Sequence, residues 1–151
     1  MNVFYEFWKI AKVFEKEKIP YALIGGVAIA FHSVPRFTKD IDILVEPRVL
    51  EKIKDVLERD GYFESTSPRT FKNTELTMHR FMKIVDGDEM LIDVLVSGTE
   101  RHSEIVAKAI DAESAEVKVK LASKEDLIWL KRFRNSKQDQ ADIEGLEDEK
   151  S

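Results

Sequence analysis

The chain has 151 residues, 43% hydrophobic and 35% charged, with a net charge of −5 and no cysteine. That apolar content builds one ordinary core, so residues 1–151 are expected to form a single domain. The acidic balance excludes a uniformly basic nucleic-acid-coating protein but leaves room for a local basic groove, and the absence of cysteine excludes disulfides and thiolate zinc sites, which makes a cytoplasmic protein the simplest reading.

The first twenty residues, MNVFYEFWKIAKVFEKEKIP, alternate apolar with charged groups and lack the continuous apolar stretch of a signal peptide. No run reaches the ~20 apolar residues of a membrane helix, so no membrane partner is expected. Phe4, Phe7, Trp8, Ala11 and Phe14 have helical spacing over residues 3–17, and Pro20 stops the pattern. Residues 21–24 then read as a short buried strand ending in Gly25-Gly26, followed by a short helix over 27–32. A second strand spans 40–46. Residues 47–60 form a helix with Pro47 in its first turn, Val49, Leu50, Ile53, Val56 and Leu57 on one face, and Gly61 at its end.

Residues 65–73, STSPRTFKN, are polar and turn-rich and read as a loop. Two β-rich runs, 76–85 and 89–96, flank Asp86-Gly87, a strong signal for an antiparallel hairpin. A helix over 100–110 and an edge-like strand over 116–121 follow. Ser123 stands where a helix cap belongs, three residues before Asp126, and precedes a helix carrying Leu127, Ile128, Leu130 and Phe133. A last helix over about 137–146 completes a C-terminal helical pair within 123–147, and residues 147–151 read as a solvated tail.

The chemistry lies in which way the carboxylates face. Successive strand residues point to opposite sides, so Asp40 and Asp42 share one face while Ile41, Ile43 and Val45 share the other. In the run Leu91-Ile92-Asp93-Val94-Leu95, Asp93 likewise points away from Ile92 and Val94. If the two strands are neighbours, three carboxylates meet on one surface, and their repulsion calls for a cation. A pair of Mg²⁺ ions, or Mn²⁺, ~3.5–4 Å apart would satisfy it. Glycines at 25 and 26 let backbone N–H groups approach a phosphate closely. Arg36 flanks the acidic strand and suits a bidentate phosphate contact. With a two-residue turn at Asp86-Gly87, Arg80 falls directly across from Asp93; a three-residue loop would put His79 there. His32, His79 and His102 lack metal-ligand spacing and read as surface or satisfied core residues.

Together, "GGVAIA", "RFTKDIDILV" and "LIDVLV" resemble the nucleotidyltransferase superfamily related to DNA polymerase beta. The resemblance implies an α/β (α+β) nucleotidyltransferase fold, a mixed β-sheet with helices packed on it. It also implies a metal-dependent enzyme that moves a nucleoside monophosphate from an NTP to a hydroxyl acceptor and releases pyrophosphate. Gly25 and Gly26 would cradle the triphosphate, with Arg36 and Thr38 beside it. Asp40, Asp42 and Asp93 would be the catalytic metal ligands. The C-terminal stretch EDLIWLKRFRNSKQDQADIEGL is similar to the small branch that includes abortive-infection nucleotidyltransferases. On that pattern Lys131 would lie near the nucleotide, and Asp139 and Asp142, like Arg80, would support the site from outside the ligand set. The family pattern has lysine directly before the first aspartate, whereas Gln138 intervenes here. The acceptor, whether RNA, protein or small molecule, does not follow from any residue. The alternative is a catalytically weak protein of the same fold that binds a cognate partner in a toxin–antitoxin-type pair; a metal-dependent nuclease would share the carboxylates but leave the glycine turn without a role.

Overall fold

The computed structural model describes residues 3–25, 28–29, 40–71, 75–114 and 117–134. Helix α1 (Val3–Lys16) buries Phe7, Ile10, Ala11 and Phe14, one stripe at helical spacing. Trp8 lies at the margin of the stripe, with Lys12 Nζ 4.4 Å from its ring centroid. The helix closes through Lys18 at φ +56° and the bond from Ile19 N to Phe14 O at 2.8 Å. Strand β1 (Ala22–Ile24) is wholly buried, and Ala28 and Ile29 beyond it are buried too.

Strand β2 (Asp40–Val45) leads into a 3₁₀ turn (Pro47–Val49) and helix α2 (Leu50–Arg59). The predicted helix over 47–60 therefore starts with a tighter turn, as the fixed φ of Pro47 permits. Its buried face is Val49, Ile53, Val56 and Leu57, and Gly61 at φ +94° ends it. Strands β3 (Phe63–Glu64) and β4 (Arg69–Phe71) come next. The stretch expected to be a loop thus contains a strand, since the backbone of the following hairpin offers it a partner: Thr70 pairs with Thr77, their hydroxyl oxygens 3.1 Å apart.

Strands β5 (Leu76–Val85) and β6 (Asp88–Val96) form the predicted hairpin, with Asp86 and Gly87 both at positive φ, +50° and +84°. That is the type I′ geometry matching the twist of paired strands. Helix α3 (Glu100–Ala107) is capped by Thr99, whose side chain accepts from His102 N. The helix expected to reach residue 110 stops three residues earlier, and Ile110–Ser114 is strand β7. Strand β8 (Val117–Leu121), whose alternation predicts an edge, instead lies between β1 and β7. Two cross-strand ion pairs hold β7 to it, Lys120–Asp111 at 2.6 Å and Lys118–Glu113 at 3.5 Å. Helix α4 (Lys124–Arg134) begins at Ser123, whose Oγ accepts from Asp126 N at 3.1 Å.

The strands make one mixed sheet in the order β3-β5-β6-β2-β1-β8-β7, with β4 also paired to β5. The pairs β2·β6 and β1·β8 are parallel, and the remaining pairs are antiparallel. One sheet face carries Ile41, Ile43, Val45, Phe81, Met90, Ile92 and Val94, all buried. Helix α1 lies on this face: Glu6, itself buried, receives Lys83 at 3.7 Å from β5 and the Tyr62 hydroxyl at 3.4 Å. Burying each large aliphatic on it contributes roughly 1.5–3 kcal/mol. Among the described residues no helix is long and apolar enough to cross a membrane.

Candidate active site

The opposite sheet face holds the carboxylates. Strands β2 and β6 pair parallel with Asp42 in register with Asp93, and Asp40 stands one row along, beside Leu91. Partners in register share a side, so all three acids lie on one face, each with its aliphatic neighbours directed into the core. Ile24 of β1 is in register with Asp42, and Arg80 of β5 with Asp93. A single row, Ile24-Asp42-Asp93-Arg80, therefore crosses four strands. The two-residue turn at Asp86-Gly87 sets this register, and His79 falls on the other face, where Nδ1 is 3.0 Å from Glu64 Oε2.

Asp93 is 4% exposed and is gripped at both oxygens by Arg80, Nε to Oδ1 at 2.8 Å and Nη2 to Oδ2 at 2.9 Å. A two-point arginine fork is among the stronger contacts a carboxylate makes with a side chain. It holds the Arg80 proton more firmly than usual, chiefly through those hydrogen bonds. Asp40 is half-buried, and its carboxyl is raised above the ordinary range, first by burial and then by the charge of Asp93, against a smaller opposing effect of Arg80. Among the described residues Arg80 grips Asp93, and the charge of Asp93 still acts on Asp40.

Gly25 ends β1 at φ +74°, a conformation that favours glycine. It is also pressed against the acid row: a Cβ there would overlap Asp42 Oδ2 and stand 2.9 Å from Asp42 Cγ. A side chain at 25 would occupy the space in front of the Asp42 carboxylate. Lys131, 5% exposed, is buried within α4. Gly26, Arg36, Thr38, Asp139 and Asp142, the short helix beyond residue 29 and the last helix and tail fall outside the described residues. His102 is a satisfied core residue, with Nδ1 accepting from Gly98 N at 3.3 Å.

A second row of side chains lies beside the acid row on the same face. Phe63 pairs with Met82, and Met82 with Leu91, so Phe63, Met82, Leu91 and Asp40 form a second row beside the first. Phe63 is 47% exposed at the far end of that row, three strand spacings from Asp40. A two-residue strand between polar stretches carries no periodicity from which it could be read.

As a donor set, three carboxylates with a glycine-cleared space in front of Asp42 offer hard oxygen ligands only, which suits a divalent cation such as Mg²⁺. Among the described residues, no three acidic or histidine side chains are gathered about one point.

Solved proteins share the architecture of this sheet and its helices. ANT(2″)-Ia, solved in complex with adenylyl-2″-tobramycin, superposes with a TM-score of 0.64 at 17% identity, over 95% of this chain and 86% of that one. The lincosamide antibiotic adenylyltransferase LnuA, solved with lincomycin bound, gives 0.62 at 17% identity, over 94% of both chains. A Thermotoga maritima protein described as a candidate nucleotidyltransferase gives 0.62 at 20% identity, over 88% and 86%. No curated protein sequence matches the chain. The sheet and its helices are thus a nucleotidyltransferase fold. The model of a family described as uncharacterised nucleotidyltransferases matches residues 1–131, and the chain belongs to that family.

Proposed function

We propose that this nucleotidyltransferase uses Asp40, Asp42 and Asp93 to transfer a nucleoside monophosphate from an NTP to a hydroxyl acceptor, with divalent metal ions at those carboxylates. The observation that carries the reading is the register of β2 on β6, which sets Asp42 beside Asp93, together with Gly25 clearing the space before Asp42. The acceptor oxygen forms a bond to the α-phosphorus, the bond from that phosphorus to the pyrophosphate oxygen breaks, and the hydroxyl proton leaves to solvent. Asp40, Asp42 and Asp93 would hold Mg²⁺ or Mn²⁺, which when bound supplies positive charge to the phosphate oxygens. Gly25 leaves a phosphate free to approach the backbone where a side chain would stand. Lys131, with Gly26, Arg36 and Thr38, completes the proposed nucleotide contacts, while Asp139 and Asp142 support them. Much of the rate then comes from positioning and from charge fixed in place before the reaction.

On this reading residues 1–151 act as a single domain in the cytoplasm. The acceptor is sought among RNA, protein and small hydroxylated molecules. Each NTP, labelled at the α-phosphate, is incubated with the protein, Mg²⁺ and a cell lysate, and the labelled product is separated by size and nuclease or protease sensitivity. The wild-type protein is expected to transfer label. Asp42→Ala and Asp93→Ala are each expected to lower transfer by ~10²-fold or more, since even partners behind a metal's ligands cost 10–100-fold. Undiminished transfer in either variant would falsify this site.

A further inference from the structure

The Arg80 fork covers the side of Asp93 on which both oxygens grip one partner, so a metal ion held by both of those oxygens would compete with it. The guanidinium takes Oδ1 at 2.8 Å and Oδ2 at 2.9 Å, in a geometry that leaves a buried carboxylate with its charge paired and both oxygens engaged. We propose that Arg80 is a resident counter-ion that holds Asp93 in the metal-free protein and is displaced from at least one of its oxygens when a divalent cation binds. The inference rests on the metal-binding reading above and adds a competing ligand to it.

Three observations support displacement rather than permanent pairing. Asp93 is 4% exposed while the Arg80 side chain is 35% exposed, so the arginine is the partner with somewhere to go. Arg80 sits on the face of β5 that carries the acid row, between Met78 and Met82, both only half-buried. Asp40 and Asp42 lie on the same face, so a cation arriving there is drawn by their charge as well, whereas Arg80 has its fork on Asp93 alone. The arrangement solves a folding problem as well. Without a cation, Asp93 in the sheet interior would be a buried unpaired charge, which is strongly destabilising. Arg80 lets the sheet form before metal arrives and makes the metal work against an existing pair.

The test is Mn²⁺ binding to the full chain without nucleotide, followed by electron paramagnetic resonance of free Mn²⁺, for wild type, Arg80→Met, Arg80→Lys and Asp42→Asn. Arg80→Met is expected to bind Mn²⁺ ~10-fold tighter or more, a shift of ~1.4 kcal/mol. Its Tm is expected to fall below wild type in chelator and to recover more than wild type on adding Mn²⁺. Arg80→Lys keeps the charge but not the fork, and is expected to bind more tightly than wild type but less than Arg80→Met. Equal affinity in Arg80→Lys and wild type would mean general repulsion rather than competition, and equal or weaker affinity in Arg80→Met would overturn the proposal outright. If Arg80→Met does not fold, the wild-type protein decides: the Arg80 Nε–H is expected to exchange slowly in chelator and quickly in saturating Mg²⁺, and continued protection would refute displacement. Loss of binding in Asp42→Asn with no change at Arg80 sinks the counter-ion role alone. No Mn²⁺ binding by any folded variant sinks the metal reading with it.

Discussion

At Asp40 two effects act in the same direction: burial disfavours its charged form, and the Asp93 charge on the same face adds to it. The folded protein therefore holds the Asp40 proton more tightly than the unfolded chain does. Folding is helped by that proton below the ordinary carboxylate value of 3.8, and the help is lost as pH rises through the raised value. At neutral pH the ionised group is a cost to the metal-free protein. Asp40→Asn is accordingly expected to raise the Tm measured in chelator at pH 7, by a margin that closes as pH falls towards 4, while abolishing label transfer. A lower Tm for the variant at pH 7 would show that contacts of the carboxylate outweigh its repulsion. The facing of these residues was legible in the sequence because a strand has a period of two: Asp40, Asp42 and Asp93 could be assigned to one side of their strands before any pairing was known. The overlap between position 25 and Asp42 was not, because it depends on how closely the end of β1 approaches β2. A glycine pair in a sequence shows only that the backbone is free to turn.

The hairpin is the element that converts local chemistry into site geometry. Asp86 and Gly87 at positive φ make a two-residue turn, and that count brings Arg80 opposite Asp93, five rungs beyond the Val85–Asp88 pair that closes the turn, without any choice made at the site itself. Gly87 at φ +84° has no heavy atom within 4 Å of where a Cβ would stand, so the cost of a side chain there is conformational, not steric crowding. Gly87→Ala is expected to cost roughly 1 kcal/mol in urea unfolding, the scale on which a non-glycine residue pays for a left-handed conformation. The fork between Arg80 and Asp93 should survive, read as unchanged Mn²⁺ affinity; a destabilisation several times larger would mean that the strands had slipped. This element was readable because turn type and alternation agree. Strands β4 and β7 were not, since their residues do not choose a strand alone. The run Arg69–Phe71 is exposed or half-buried throughout and is held by β5, and Ile110–Ser114 is held by Lys118 and Lys120 across the ladder. Such edge strands are specified by cross-strand partners rather than by propensity.

Across the whole molecule, the C-terminal part of the described chain is tied to the sheet through a buried histidine. His102 in α3 is 1% exposed, accepts from Gly98 N just after β6, and packs its ring against Trp129 of α4 at 5.8 Å between centroids. Arg101 lies over the same Trp129 ring at 4.7 Å and reaches Asp126 at 2.6 Å. One short segment therefore links the end of β6, helix α3 and helix α4. Burial lowers the proton affinity of His102 below its ordinary value of 6.5, and the Arg101 charge acts the same way against a contrary effect of Glu75. The unfolded chain takes up a proton at this residue that the folded protein resists. Stability from this group is thus complete above pH 6.5 and is lost as pH falls below it. Protonation would also place a donor on Nδ1 where the Gly98 N–H already donates. The Tm of the wild-type protein is expected to fall between pH 6.5 and 5 with a slope of up to one proton taken up on unfolding. His102→Gln, which keeps an acceptor but does not titrate, is expected to be less stable at pH 7.5 by ~1–3 kcal/mol from imperfect replacement of a buried polar group, and to lose most of that slope. An unchanged slope in the folded variant would assign the acid sensitivity elsewhere in the chain.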